Sequence, residues 1–377
     1  MSANSVNLKA SPLLAVVLVV SACAPPRTAP PAGPGEWRGV LGGPERAAYA
    51  GVAFAGAPRI DWRKGYGRGI AVALQVHAPL LIATTTGRTV VAINAETGMQ
   101  YWSRTFSGPI AGSALRRNDR AYVATGDREN RIHAVTLPRG RRIWSSRRIG
   151  TFRVEPVLLD DRLVAVTENG IVAALGESDG ALLWRTAIGA PPAAPPVPHE
   201  ASVLIATVRD TLYRIRTADG QVTGRVALPG TASAPALIRD GNMTLPVFPN
   251  HVVTVDLERF AVSERLELDA PVLAAPVPAG AGVALLTRDG RVYRLEAGGR
   301  TVRSIADLGG SASASFAAIG TNFAVGRLDG ALFFLDPSGR LLWRQDFDDS
   351  IAAPVAAADG VLFVPLLHGD VVRVEAE

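Results

Sequence analysis

The stretch IDWRKGYG (residues 60–67) is nearly repeated by LLWRTAIG (182–189), and the chain ends in VVRVEAE (371–377). In the later copies a Trp strand closes a unit whose other strands come before it. IDWRKGYG has no such strands in front of it. VVRVEAE has the complementary lack, having the form of a second strand in a unit that never reaches its Trp strand. Each supplies what the other is missing, which predicts a ring whose first strand pairs with its last.

The unit between these ends recurs with a pitch near 40, a period that signals a propeller or solenoid. It begins with an apolar strand such as RLVAVT (162–167), then a tight turn at Asn169-Gly170, Asp289-Gly290, Asp329-Gly330 or His368-Gly369. Such turns need the positive φ that Gly supplies. A second strand follows (IVAALGES, RVYRLEA, ALFFLDP), then a second turn (ETG at 96–98, PRG at 138–140, SDG at 178–180, ADG at 218–220, PSG at 337–339). The third strand carries the Trp, and a small-residue strand such as EPVLL or AAPVAA leads into the next unit. Trp62, Trp102, Trp144, Trp184 and Trp343 mark the register, with Gly224, Glu264 and about Ser304 in degenerate copies. Eight copies of a four-stranded unit with no helical period predict an all-β fold, an eight-bladed β-propeller. The AAPV-like strands suit its narrow centre, and pairing of the terminal segments removes the exposed sheet edges of an open ring.

The first 22 residues read as an export signal: Lys9, an apolar core Leu13–Val20 far short of the roughly 20 residues that span a bilayer, then small residues. Cys23 is the only cysteine and ends that run. Val20-Ser21-Ala22-Cys23 resembles the lipobox of bacterial lipoproteins, where the Cys is acylated and becomes the mature N-terminus. Ala24 after it implies, in such lipoproteins, passage to the outer membrane. APPRTAPPAGPGE (24–36) predicts an extended spacer of roughly 3 Å per residue. The expected organisation is thus signal peptide 1–22, lipidated Cys23 and Pro-rich linker 23–56, and propeller 57–377. With Cys23 lipidated, no thiol remains for a disulfide or a metal.

VVAINAETGMQYW (90–102), ALGESDGALLW (174–184) and FLDPSGRLLW (334–343) resemble the PQQ-like repeat family, and the resemblance covers nearly all of residues 57–377. Together with the lipobox and spacer, it looks like the propeller lipoprotein family of the outer-membrane β-barrel assembly machinery. That resemblance implies a non-catalytic scaffold, lipid-anchored in the outer membrane and facing the periplasm. It implies docking on the periplasmic domains of the barrel-inserting subunit, as a monomer within a hetero-complex. Quinoprotein dehydrogenases of similar fold use a vicinal cysteine pair and a calcium. This chain has one Cys, so no cofactor is expected.

No catalytic constellation and no metal set is legible. His77, His133, His199, His251 and His368 fall in different repeats and in no paired metal spacing, and read as surface or loop residues. Asp160-Asp161 and Asp348-Asp349 read as solvated turn residues. GYGRG (65–69) lacks the strand-to-helix context of a phosphate loop.

Charge is distributed unevenly. Arg104–Arg153 holds 12 Arg against Asp119, Asp127 and Glu129, a balance of +9 in a chain of net +5. Arg116, Arg117 and Arg120 fall around one turn; Arg139, Arg141, Arg142, Arg147 and Arg148 flank the Trp144 strand. The expectation is a basic sector on one side of the ring, suited to an acidic partner surface or anionic headgroups. Nucleic acid is not expected of an exported lipoprotein. The alternative reading is a ligand- or glycan-binding propeller, which would need aromatic and polar groups converging at one mouth of the central channel.

Overall fold

The computed structural model describes residues 49–50, 54 and 56–376, so Cys23 and the Pro-rich stretch 24–36 lie outside the described residues. The described chain is all strand and turn, in eight sheets that form the eight blades of a propeller. Strands are lettered a to d, from the channel outward. Blade 1 comprises Gln75–His77, Leu80–Thr85, Thr89–Asn94 and Gln100–Thr105. Blade 2 comprises Leu115–Arg117, Arg120–Thr125, Arg131–Thr136 and Arg142–Ser145; blade 3, Val157–Leu159, Arg162–Val166, Ile171–Gly176 and Leu182–Ala187. Blades 4 to 7 occupy 197–227, 237–267, 277–307 and 312–346.

Blade 8 is assembled from both ends of the chain. Its strands a to c are Ala356–Ala358, Val361–Pro365 and Asp370–Ala376, and its strand d is Pro58–Gly65. Pairing runs from Pro58 opposite Ala376 to Gly65 opposite Asp370, as the unmatched terminal motifs predict. The innermost strands of blades 1 and 8 touch, which completes the ring. The hairpin glycines Gly170, Gly290, Gly330 and Gly369 have φ of 70°, 87°, 87° and 113°, the backbone those turns require.

Packing starts earlier than residue 57. Tyr49–Ala50, within the stretch expected to be linker, adds a parallel strand to the inner edge of blade 7, opposite Ala318 and Ile319. Phe54 is buried, its ring 5.6 Å from Trp343 and 5.5 Å from Phe334.

The Trp residues join neighbouring blades. Trp62, Trp102, Trp144 and Trp184 each sit on strand d, and the indole N–H donates to a carbonyl in the c–d turn of the next blade. Trp62 donates to Glu96 (3.0 Å), Trp102 to Leu137 (2.5 Å), Trp144 to Glu177 (3.1 Å) and Trp184 to Thr217 (2.8 Å). The turn glycine lies flat on the indole: a Cβ on Gly180 would come within 2.4 Å of the Trp144 ring, and one on Gly220 within 2.5 Å of Trp184. That closeness explains why turn and Trp recur together.

The degenerate copies keep the seam by other means. Gly224 pairs with Arg214 at the register where Trp184 pairs with Ala174. Its missing side chain is replaced from the next blade by Phe260, which stands in that blade's c–d turn at φ 50°. A Cβ on Gly224 would lie 2.5 Å from the Phe260 ring, and Arg214 covers that ring at 4.1 Å. Glu264 instead pairs with Arg300 across the following seam at 2.9 Å. Between blades 6 and 7, Gly339 rests on the backbone of Ile305.

This exchange predicts coupling. Phe260→Gly should cost about 3 kcal/mol by leaving a cavity, and Gly224→Trp alone should also destabilise by collision. The double variant should recover much of the loss, a coupling of about 2 kcal/mol in denaturant unfolding. Simple additivity would mean that Phe260 does not occupy the Trp position.

Candidate interaction surface

The eight arginines expected to form one sector are divided by strand geometry. Successive side chains of a strand point to opposite faces, and in a propeller those faces are different seams. Arg117 turns toward blade 3, where its guanidinium meets Glu177 at 3.0 Å and also donates to the carbonyl of Asp160. Arg120 points to the Glu177 carbonyl at 3.5 Å, and Tyr122 donates to the same carboxylate at 2.6 Å. Glu177 thus gathers Arg117, Arg120, Tyr122 and Trp144 from blade 2. Arg117 and Arg120 hold the seam together and are not free for a partner. Arg116 faces the other way, half-buried near the channel.

The remaining five belong to the outer rim of blade 2. Arg139 and Arg141 flank the c–d turn, Arg142 starts strand d, and Arg147 and Arg148 follow it; all are exposed. Arg148 donates to the Arg128 carbonyl at 3.4 Å. Among the described residues no carboxylate pairs with Arg139, Arg141, Arg142 or Arg147. Glu129 is taken up by the amides of Ser107 and Gly108 (3.0 and 3.1 Å), and Asp127 faces Arg153 at 3.6 Å. Blades 6 and 8 place carboxylates against their arginines. Arg59, Arg63 and Arg373 meet Glu375, Asp348, Asp370 and Asp61 in blade 8. Arg291 meets Asp269, Asp289 and Asp307 around blade 6. The rim of blade 2 differs from blades 6 and 8 in bringing four unneutralised arginines together.

Ile143 lies within this cluster and is 39% exposed. It is also the bulged residue of strand d, skipped between the pairs Arg142–Val135 and Trp144–Ala134. Equivalent bulges fall at Tyr101, Leu183, Thr223, Ser263, Leu342 and Asp61, one residue before each Trp position. A bulge twists an edge and interrupts its row of free backbone groups, so it disfavours pairing with a foreign strand. On strand d of blade 2, four residues long, recognition therefore falls to side chains.

Beneath the rim lies His133, which the sequence reading placed on the surface. It is 4% exposed, with Nδ1 2.8 Å from Ser145 Oγ and Nε2 3.3 Å from Glu129 Oε1. Its position corresponds to buried Val91 and Ala173 in neighbouring repeats, so aligning the repeats would have revealed it. Burial holds its pKa down to about 4, outweighing Glu129, with Arg104, Arg131 and Arg142 adding to the lowering. Asp349, read as a solvated turn residue, is likewise 9% exposed and accepts from the His368 and Ser350 amides at 2.8 and 2.7 Å. Among the described residues no group of three His, Cys, Asp or Glu could hold a metal ion.

The chain resembles known proteins along most of its length. A family model described as outer membrane protein assembly factor BamB matches residues 55–194, 128–259 and 288–377. The outer membrane protein assembly factor BamB of Yersinia pestis is 24% identical over 305 residues, 72% of this chain and 76% of the relative. The crystal structure of BamB from Moraxella catarrhalis superposes with a TM-score of 0.72 at 16% identity, covering 85% of this chain and all of that one. The quinohemoprotein alcohol dehydrogenase of Comamonas testosteroni also reaches 0.72, at 10% identity, over 90% of this chain and 80% of that one. At such identities the two structures speak for the fold alone.

Because the folded pKa of His133 is depressed, the unfolded chain binds more protons below the ordinary value of 6.5. Its contribution to stability is whole above that pH and is lost as pH falls toward about 4. His133→Gln should therefore lose stability less steeply than the parent in chemical unfolding between pH 7 and pH 4; parallel slopes would contradict a buried, neutral imidazole.

Proposed function

We propose, from the premise that this chain belongs to the family of the outer membrane protein assembly factor BamB, that it is a non-catalytic scaffold in the assembly of outer-membrane β-barrel proteins. The observation that carries this reading is the family match, which extends over most of the propeller. Cys23 bears the lipid that fixes the protein to the outer membrane, and the Pro-rich spacer holds the disc in the periplasm. The partner is a periplasmic domain of the barrel-inserting subunit.

The rim of blade 2 is the docking surface. Guanidinium forks match carboxylates in two-point contacts, and a rim of one sign speeds encounter with a surface of the other. Exposed ion pairs contribute only about 0.2–1 kcal/mol each, so four arginines supply orientation and rate more than affinity. Ile143, at the centre of the cluster, adds the apolar contact that such rims surround.

The test is affinity purification of the lipidated protein from its own membrane in mild detergent, with a Cys23→Ser control. The barrel-inserting subunit should co-elute with the parent protein. Replacing Arg139, Arg141, Arg142 and Arg147 together by Glu should reduce its recovery about tenfold or more, and added salt should imitate the loss. Undiminished recovery with the quadruple variant would remove the rim from the proposal. Absence of every barrel-assembly component would remove the function itself.

A further inference from the structure

The inner end of the seam between blades 1 and 2 contains polar groups that have no partner among the described residues. Cross-strand neighbours share a face of the sheet. Gln75 stands opposite Ile82, and His77 opposite Leu80. Both apolar residues belong to the cluster packed between blades 1 and 2, together with Ala121 and Val123. Gln75 and His77 therefore face blade 2. On blade 2, Arg116 stands opposite Ala121 and so faces blade 1. The three side chains enter one seam from its two walls, on the strands that line the channel.

Two hydrogen bonds hold these walls at a fixed separation: Ser113 Oγ donates to the Ala73 carbonyl at 2.8 Å, and the Ala114 amide to Thr84 Oγ1 at 3.2 Å. Within that frame Gln75 is 1% exposed, yet among the described residues neither its oxygen nor its nitrogen has a hydrogen-bond partner. His77 Nδ1 and Arg116 Nε and Nη1 are buried without partners among the described residues as well. A protein interior leaves few such groups unpaired, because each loses its water without replacement. Burial alone lowers the Arg116 pKa to about 10, with no carboxylate contributing.

We propose that this seam binds a carboxylate carrying an N–H donor on the adjoining carbon, the chemistry of a peptide C-terminus or an N-acylated amino acid. The planar guanidinium of Arg116 offers two parallel donors to a carboxylate, and one positive charge balances one negative charge. Gln75 Nε2 donates to the same carboxylate. Gln75 Oε1 is an acceptor, and a bare carboxylate or phosphate dianion offers it nothing; the ligand's N–H does. Arg116, half-buried beside the channel, is the point of entry, and Gln75 closes the inner end.

The test is titration of the purified protein with N-acetylglycine, a short peptide acid, the same peptide as its C-terminal amide, acetate and inorganic phosphate, followed by calorimetry. N-acetylglycine and the peptide acid should bind at millimolar concentration or below, and acetate and the amide about tenfold more weakly. Preference for the peptide acid would assign the site to a chain terminus; preference for N-acetylglycine would assign it to a small molecule. Arg116→Leu and Gln75→Leu should each weaken binding about tenfold or more. Without ligand, both variants should melt no lower than the parent, since each removes a buried group that lacks a partner. Phosphate binding more tightly than N-acetylglycine, affinity retained in both variants, or no binding at millimolar ligand would each overturn the proposal. So would lower melting of both variants without ligand, because the two side chains would then be paired within the fold.

Discussion

Everything in this ring depends on how the outer strand of one blade meets the c–d turn of the next. The indole of Trp144 shows the parts of that contact: its ring lies against the backbone of Gly180, and its N–H reaches the Glu177 carbonyl at 3.1 Å. A turn carbonyl at a seam would otherwise lose water without replacement, and the flat ring fills the wedge between two sheets that diverge outward. A ring of eight seams tolerates no open one, so a copy that loses its Trp must be filled from elsewhere. Phe260 fills the space at Gly224, an ion pair bridges Glu264 and Arg300, and Gly339 settles on the backbone at Ile305. What is retained at every seam is contact, and the residue that provides it varies.

The same constraint governs closure. Blade 8 has no covalent c–d turn, because strand c is the C-terminus and strand d comes from the N-terminal side. Trp343, pointing at that seam, therefore lacks the turn glycine its counterparts have. Phe54 takes the place, and Trp343 in turn stacks on Phe334 at 4.9 Å. The seam on the far side of blade 8 is of the ordinary kind, with Trp62 bonded to Glu96 of blade 1. Closure therefore rests on the backbone ladder of strand d and on aromatic packing from residues that precede it.

The architecture was legible in the sequence because periodic Trp, turn glycines and unmatched terminal motifs report backbone geometry, which strand pairing obeys directly. The arginine sector was legible only as composition. Arg116 and Arg117 are adjacent in the chain, yet the alternation of a strand sends one toward blade 1 and the other toward blade 3. Charge counted along a chain sums over faces that the fold separates. His133 was misplaced for a related reason: residue type favoured the surface, while its register, level with Val91 and Ala173, put it in the middle of a sheet. The packed segment at Tyr49–Ala50 and Phe54 carries no repeat pattern, so nothing in the sequence distinguished it from the spacer before it.

A closed propeller has little backbone to offer a partner. Its outer strands are bulged, and part of the inner edge of blade 7 is already paired with Tyr49–Ala50. Recognition then has to come from side chains that the seams do not consume, and the ring allots these unevenly. Around blades 6 and 8 carboxylates absorb the guanidinium groups; beside blade 2, Glu177 of blade 3 is committed to the seam and Glu129 to the amides of Ser107 and Gly108. The excess charge of the Arg104–Arg153 stretch thus emerges at Arg139, Arg141, Arg142 and Arg147, because Arg117 and Arg120 are consumed in a seam while these four stand on the outer rim, where strand d and its flanking turns leave them without a carboxylate among the described residues.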